Sequence, residues 1–155
     1  MRFDSLANEL LLRRSVPVSQ LPAQSLIGAQ PPLSGRDVHA TYGLLVHYTG
    51  SHWVNAMMNA GFVGRAGADC WLTPSPHAAC MLPYTLGLDS PRDVCLLINV
   101  SSVPGLWGPG TCPPSRRYPN IWRGGGIEFV CPASTPIPFA LVQNIVQLEP
   151  CGDIF

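Results

Sequence analysis

At 155 residues, with 46% hydrophobic and 12% charged residues and a formal net charge of zero, the chain has the make-up of one compact domain rather than a disordered segment. No basic cluster exceeds the arginine pairs Arg13-Arg14 and Arg116-Arg117, so nucleic-acid binding by a broad electrostatic surface is not indicated. No apolar run approaches the roughly 20 residues of a membrane span, and the opening Met-Arg-Phe-Asp-Ser carries no signal-peptide hydrophobic region, so Sec-type export is not expected.

All nine basic residues are arginine. A GC-rich genome accounts for this and for the 17 prolines; the sharper reading is a protein that works in a foreign eukaryotic cytosol, where lysines invite ubiquitination. The six cysteines are scattered without a C-x-x-C pair, which argues against a zinc site. Several stand in apolar runs, and without a secretory signal they are expected to be reduced and buried.

In chain order, residues 3–14 read as a short amphipathic helix with Phe3, Leu6 and Leu10 on one face. Pro17 to Pro32 has no period and reads as an extended linker or wrapping arm. His39–Tyr48 reads as a strand. Ser51 is the expected N-cap of a helix over Ser51–Ala60, with Trp53, Val54, Met57 and Met58 on its apolar face and Gly61 as its stop. A short strand over Asp69–Thr73 is followed by a helical segment His77–Leu86 that Pro83 kinks or ends. Val94–Val100 is an apolar strand, 101–124 a long loop holding Trp107, Tyr118 and Trp122, and Ile127–Cys131 and Ala140–Leu148 are the last strands. Short strands interrupted by two helices predict an α+β domain with a strongly bent sheet or split sandwich.

Two polar residues stand out in this scheme. His47 lies inside Leu-Leu-Val-His-Tyr-Thr, and Glu128 follows three glycines in Gly124-Gly-Gly-Ile-Glu-Phe. Each is costly to bury unless partnered. Of the three glutamates, Glu128 alone falls in a β-type run. Taken singly, His47 could be a core histidine bonded to backbone, Glu128 could pair with Arg65 or Arg123, and Trp71 could be a core residue. His52 and His77 read as surface or capping residues.

The order of His47-Tyr48-Thr49, a helix ending at glycine, Trp71-Leu-Thr-Pro, a second helix, and Gly-Gly-Gly-Ile-Glu128-Phe resembles the NAD-dependent ADP-ribosyltransferases of the His–Tyr–Glu class. That class includes diphtheria-type toxins and poly-ADP-ribose polymerases; the likeness is greatest to its small bacterial toxin domains, and it covers residues 40–150. The resemblance implies an ADP-ribosyltransferase-like split β-sandwich with a few short helices over residues 38–155, preceded by an N-terminal arm, 1–37. It implies NAD as substrate, with no metal. Glu128 would stabilise the oxocarbenium cation that forms as the nicotinamide–ribose bond breaks. His47 would orient a ribose hydroxyl, the Tyr48 backbone would hold the carboxamide, and Thr49 would add a hydrogen bond. Trp71 stands where the family has a stacking tyrosine, and Tyr84 is the second aromatic candidate.

The loop before the last motif contacts the acceptor in this superfamily, which assigns Arg117, Tyr118, Trp122 and Arg123 to acceptor binding. Arginine-modifying members carry a second acid or Gln two residues before the catalytic Glu. Here that residue is Gly126, which argues against an arginine acceptor and leaves hydroxyl, amide or nucleobase acceptors open. The implied protein is a toxin or effector, secreted by a specialised system and acting in a target-cell cytosol on a macromolecule, with a protein as the favoured partner. A chaperone or immunity protein is a further candidate partner, and no membrane is involved. The rival readings are an NAD glycohydrolase and a non-catalytic binding module on the same fold.

Overall fold

The computed structural model describes residues 17–74, 77, 79–88 and 92–149. The helix expected over 3–14 lies outside the described residues, as does Cys151. The described chain is mixed α and β, built on two small antiparallel sheets. One has the order β1 (Leu45–Thr49), β3 (Val94–Ile98), β6 (Val142–Gln147); the other has β2 (Cys70–Leu72), β5 (Ile127–Cys131), β4 (Trp107–Thr111). The central strands β3 and β5 carry the near-continuous apolar runs Val-Cys-Leu-Leu-Ile and Ile-Glu-Phe-Val-Cys, since neighbours on both edges and both faces leave little room for polar groups. Leu45, Leu72, Leu96, Ile98, Leu106 and Phe129 are all fully buried members of one core cluster.

Among the described residues the sheets are joined by one isolated bridge. Val46 and Thr73 exchange both N–H···O bonds, at 2.9 and 3.0 Å. Val46 and Thr73, with their neighbours His47 and Trp71, line the cleft described below.

Among the described residues four short helices decorate the sheets: α1 (Ala23–Leu26), α2 (Gly35–Tyr42), α3 (Ser51–Ala60) and α4 (Leu82–Thr85). Helix α2 corrects the strand expected from His39. Ser34 caps it, accepting the Asp37 N–H on its Oγ at 3.2 Å with Asp37 in the first turn, so the Ser-Gly-Arg-Asp start signal outweighs the local alternation that followed it. Helix α3 has the expected bounds, and Gly61 ends it in the left-handed region at φ 86°. Its cap differs: Gly50 is the N-cap, while Ser51 gives its N–H and Oγ–H to Asp93 at 2.8 Å each. Of its four apolar positions only Met57 is buried; Trp53 and Met58 are half exposed.

Pro17 to Pro32 is the wrapping arm, and it includes the one-turn helix α1. Ser19 N–H donates to Pro109 O (3.0 Å), Thr111 N–H to Leu21 O (3.0 Å) and Thr111 Oγ to Ser19 O (2.7 Å), so the arm runs along β4. Strand β4 itself lies inside the stretch 101–124 expected to be loop. The Gly-Pro-Gly at the centre of Trp-Gly-Pro-Gly-Thr is poor in β-propensity; its strand conformation comes from pairing with β5. Pro83 lies in the first turn of α4, where proline starts a helix rather than kinking it. A 3-10 turn over Ala79–Met81 precedes it, and a second over Phe139–Leu141 delays β6 to Val142. All five described cysteines are free thiols, and four of them are buried.

Candidate functional site

The cleft at the Val46–Thr73 rung has a volume of about 1750 Å³. His47, Tyr48 and Thr49 line it from β1, Trp53 from α3, Trp71 from β2 and Glu128 from β5. Residues eighty positions apart in sequence thus share one opening, because the two sheets abut along β1 and β2. Arg65, Arg92 and Arg116 also line it, interspersed with Asp69, Asp93 and Glu149.

His47 is held by a broken ladder. The register set by Val46 and Thr73 would next pair Tyr48 with Trp71. Instead His47 Nδ1 lies 2.8 Å from the Trp71 carbonyl oxygen. A carbonyl only accepts, so Nδ1 carries the proton, and in the neutral ring Nε2 is left as an acceptor. Burial lowers the imidazole below its ordinary value; the bond to Trp71 opposes this and the Arg92 charge reinforces it. The ring is therefore neutral near pH 7, with a defined tautomer. Because Tyr48 is two residues from Val46, its backbone N–H and C=O lie on the same edge of β1 as those of Val46. Its side chain packs with Ala79, Leu82 and Leu148, and its hydroxyl accepts the His77 N–H. Thr49 is buried at the cleft wall.

Trp71 is not a core residue: its neighbours Cys70 and Leu72 are buried, while the indole itself is 37% exposed in the cleft. The alternation of a three-residue strand accounts for this, since successive side chains take opposite faces.

Glu128 is the buried acid of the site, at 5% exposure. Its Oε1 accepts the N–H of Ala23, from the arm, at 3.2 Å. Burial raises the carboxyl above its ordinary value, and the bonds from Ala23 and the Cys112 thiol work against that rise. Burial and the Glu128 charge in turn push the Cys112 thiol up, which keeps it an S–H donor, and its proton goes to Leu86 O at 3.0 Å. No ion pair joins Glu128 to an arginine among the described residues. Arg123, one of the two arginines an ion-pair reading requires, gives its Nε–H to Asn120 O at 3.4 Å.

The glycine run before β5 is there for close approach. Gly124 N–H donates to Tyr84 O and Gly126 N–H to Thr85 O, each at 2.8 Å, so α4 grips the run. A Cβ on Gly126 would lie 2.8 Å from Thr85 O and 2.9 Å from a Leu86 methyl. No side chain, acidic or otherwise, fits there without movement.

The remaining expected residues fall elsewhere. Tyr84 is on α4, partly exposed, and does not line the cleft. Arg117, Tyr118, Trp122 and Arg123 form a surface cluster outside it: Arg117 stacks over the Tyr118 ring at 5.3 Å, and Tyr118 meets Trp122 edge-on at 4.7 Å. Ser115 Oγ accepts the N–H groups of Arg117 and Tyr118, both at 3.2 Å. Sequence reasoning missed the arm residues Pro22, Ala23, Gln24 and Ser25, and also Trp53, Arg92 and Cys112, all of which reach the site or its acid. Nothing in the arm's composition marks it as site-forming; Trp53 carried a signal, as a large aromatic two residues after the helix start.

Among the described residues no group of His, Cys, Asp and Glu side chains is arranged to hold a metal ion. No described helix is long and apolar enough to cross a membrane. No family model matches the chain, and no curated protein or solved structure matches it at a significant level.

Proposed function

We propose that the chain is an NAD-dependent mono-ADP-ribosyltransferase with an ADP-ribosyltransferase-like split β-sandwich, transferring ADP-ribose to a non-arginine acceptor on a macromolecule, with a protein favoured. The observation that carries this is the meeting of His47, Trp71 and Glu128 in one cleft at the seam of two sheets. Its volume of about 1750 Å³ exceeds that of an ordinary small-molecule pocket and leaves room for a dinucleotide beside an acceptor group.

The chemistry follows from the residues. The bond between ribose C1′ and the nicotinamide nitrogen breaks, its electron pair leaves with nicotinamide, and positive charge develops on the ribose. Glu128, ionised in a low-dielectric wall, stabilises that charge far more than an exposed carboxylate would. Neutral His47 accepts a ribose hydroxyl on Nε2. The Tyr48 backbone takes the nicotinamide carboxamide, Trp71 stacks on the ring, and Thr49 adds a hydroxyl contact. The acceptor then attacks C1′ and loses its proton. The Arg117–Tyr118–Trp122 cluster with Arg123 is the acceptor-side surface, and Gly126 removes the acid that arginine acceptors require.

The lysine-free composition supports a toxin or effector delivered by a specialised secretion system into a target-cell cytosol, with a chaperone or immunity protein as partner before delivery. Purified protein with labelled NAD and cell lysate is expected to label a discrete macromolecular band, and Glu128→Ala to abolish it. Nicotinamide release with no labelled acceptor would make the chain an NAD glycohydrolase. Absence of NAD binding would sink the enzymatic reading and leave a binding module.

A further inference from the structure

Glu128 stands on a strand flanked by glycine, so something else must aim its carboxylate. We propose that the backbone N–H of Ala23 is the positioning group: it holds Oε1 and turns the other carboxylate oxygen to the ribose, making the arm a working part of the site. The catalytic half of this statement rests on the ADP-ribosyltransferase reading.

Four observations converge on it. Ala23 is fully buried, and its N–H reaches Glu128 Oε1 at 3.2 Å. Gly110 stands directly opposite Glu128 in the β4–β5 register, and its missing side chain is what admits the arm: a Cβ there would lie 2.5 Å from Ala23 N and 2.6 Å from Leu21 O. The arm is pinned on both sides of the acid. Toward β4 it is held by the bonds of Ser19 and Leu21, and toward β2 by Gln24 Nε2, which donates to Asp69 Oδ2 at 3.1 Å while Asp69 Oδ1 accepts Ala133 N–H at 3.0 Å. Finally, Pro22, Gln24 and Ser25 line the same cleft as Glu128. A backbone amide in a pinned segment is a fixed donor, and its bond to a carboxylate is charge-assisted, so it orients the acid without reorganising as charge develops. Cys112, whose S–H meets Leu86 O at 3.0 Å, lines the same cleft, as do the ionisable side chains of His47, Asp69, Arg92 and Arg116.

The test uses the full chain and three variants. Ala23→Pro removes the N–H and sets the ring Cδ in its place against Oε1; Ala23 opens a helix, where proline fits the backbone, and Pro22 already has the extended ψ of 146° that a residue before proline requires. Ala23→Gly keeps the N–H. Gly110→Ala displaces the arm without touching Glu128. With only three glutamates in the chain, carbon-13 labelling of Glu carboxyls resolves the Glu128 titration. In the unaltered protein the Ala23 amide proton shift should follow that titration. In Ala23→Pro and Gly110→Ala the midpoint should rise and kcat for nicotinamide release should fall about tenfold to hundredfold with KM within about twofold, while Ala23→Gly stays near wild type. An Ala23 amide that ignores Glu128, or variants whose kcat rises because the arm was blocking the site, would overturn the proposal. If the unaltered protein releases no nicotinamide, the enzymatic reading fails, and the amide and carboxyl titrations still decide whether Ala23 holds Glu128. Should the proline prevent folding, the wild-type amide titration and Gly110→Ala carry the same decision.

Discussion

The Nδ1–H of His47 fills the place of a lost ladder bond by donating to the carbonyl of Trp71 at 2.8 Å. One contact therefore does two jobs. It satisfies a backbone acceptor at the seam of the two sheets, and it fixes the tautomer that leaves Nε2 as an acceptor.

The pH dependence of activity follows. The proposed mechanism needs His47 neutral, and burial lowers it from its ordinary value; it needs Glu128 ionised, and burial raises it from its ordinary value. Both working forms lie on the alkaline side of their transitions, so kcat/KM for nicotinamide release is expected to fall as pH drops, with no alkaline limb from this pair. A profile from pH 4.5 to 8.5 checks it. His47→Gln should retain only the Glu128 component, and a wild-type profile that rises toward acid would contradict the assignment.

Glu128→Gln should abolish turnover and stabilise the fold. A group whose folded pKa is raised contributes stability that is full below its unfolded value, here 4.5, and lost as pH rises through the folded value. Above the folded value the wild type thus carries a buried carboxylate with no ion-pair partner among the described residues. The amide can still accept from Ala23 without that charge. The expected gain is on the order of 1 kcal/mol, or roughly 2–4 °C in Tm for a chain of this size. Thermal melts at pH 7.5 and pH 4 decide it: the advantage should be present at the first and shrink at the second.

Trp71 offers an exposed indole rather than core packing, so Trp71→Ala should cost little stability, within about 1 kcal/mol, but weaken NAD binding by roughly tenfold. Trp71→Phe, which keeps a stacking face, should recover most of the affinity. Titration by calorimetry separates the two, and unchanged affinity in the alanine variant would remove Trp71 from the site.

Gly126→Glu, which restores the acid of arginine-modifying relatives of the proposed class, should not create arginine transfer. The new Cβ would press on Thr85 O and the Leu86 side chain, and relieving it would loosen the grip of α4 on the glycine run. A loss of about 1–3 kcal/mol is expected in denaturant unfolding. A stable variant that labels arginine would overturn this account.

Much of the scaffold was legible from local pattern. Val94–Ile98 and Ile127–Cys131 announced themselves because central strands are apolar almost throughout, and Ser51–Ala60 because a left-handed glycine follows it. His39–Tyr42 misled because four residues of alternation carry less information than the serine cap ahead of them. Strand β4 was illegible for a different reason. Gly-Pro-Gly holds a strand only through its partner β5 and the arm laid against it, and neither is a local property.

The sequence by itself determined the residue types of the site: a histidine and a glutamate set in apolar runs, a tryptophan on a short strand, and a glycine run with no second acid. Their chemistry, and their cost if left unpartnered, are properties of the side chains and need no coordinates. Tertiary structure alone decided which of them meet. The Val46–Thr73 rung brings β1 and β2 together at the cleft and leaves Tyr84 and the Arg117–Trp122 cluster outside. It also decided that Ala23, a residue with no functional side chain, touches Glu128 across 105 positions of sequence. A backbone N–H is common to every residue but proline, so only the path of the chain can single one out.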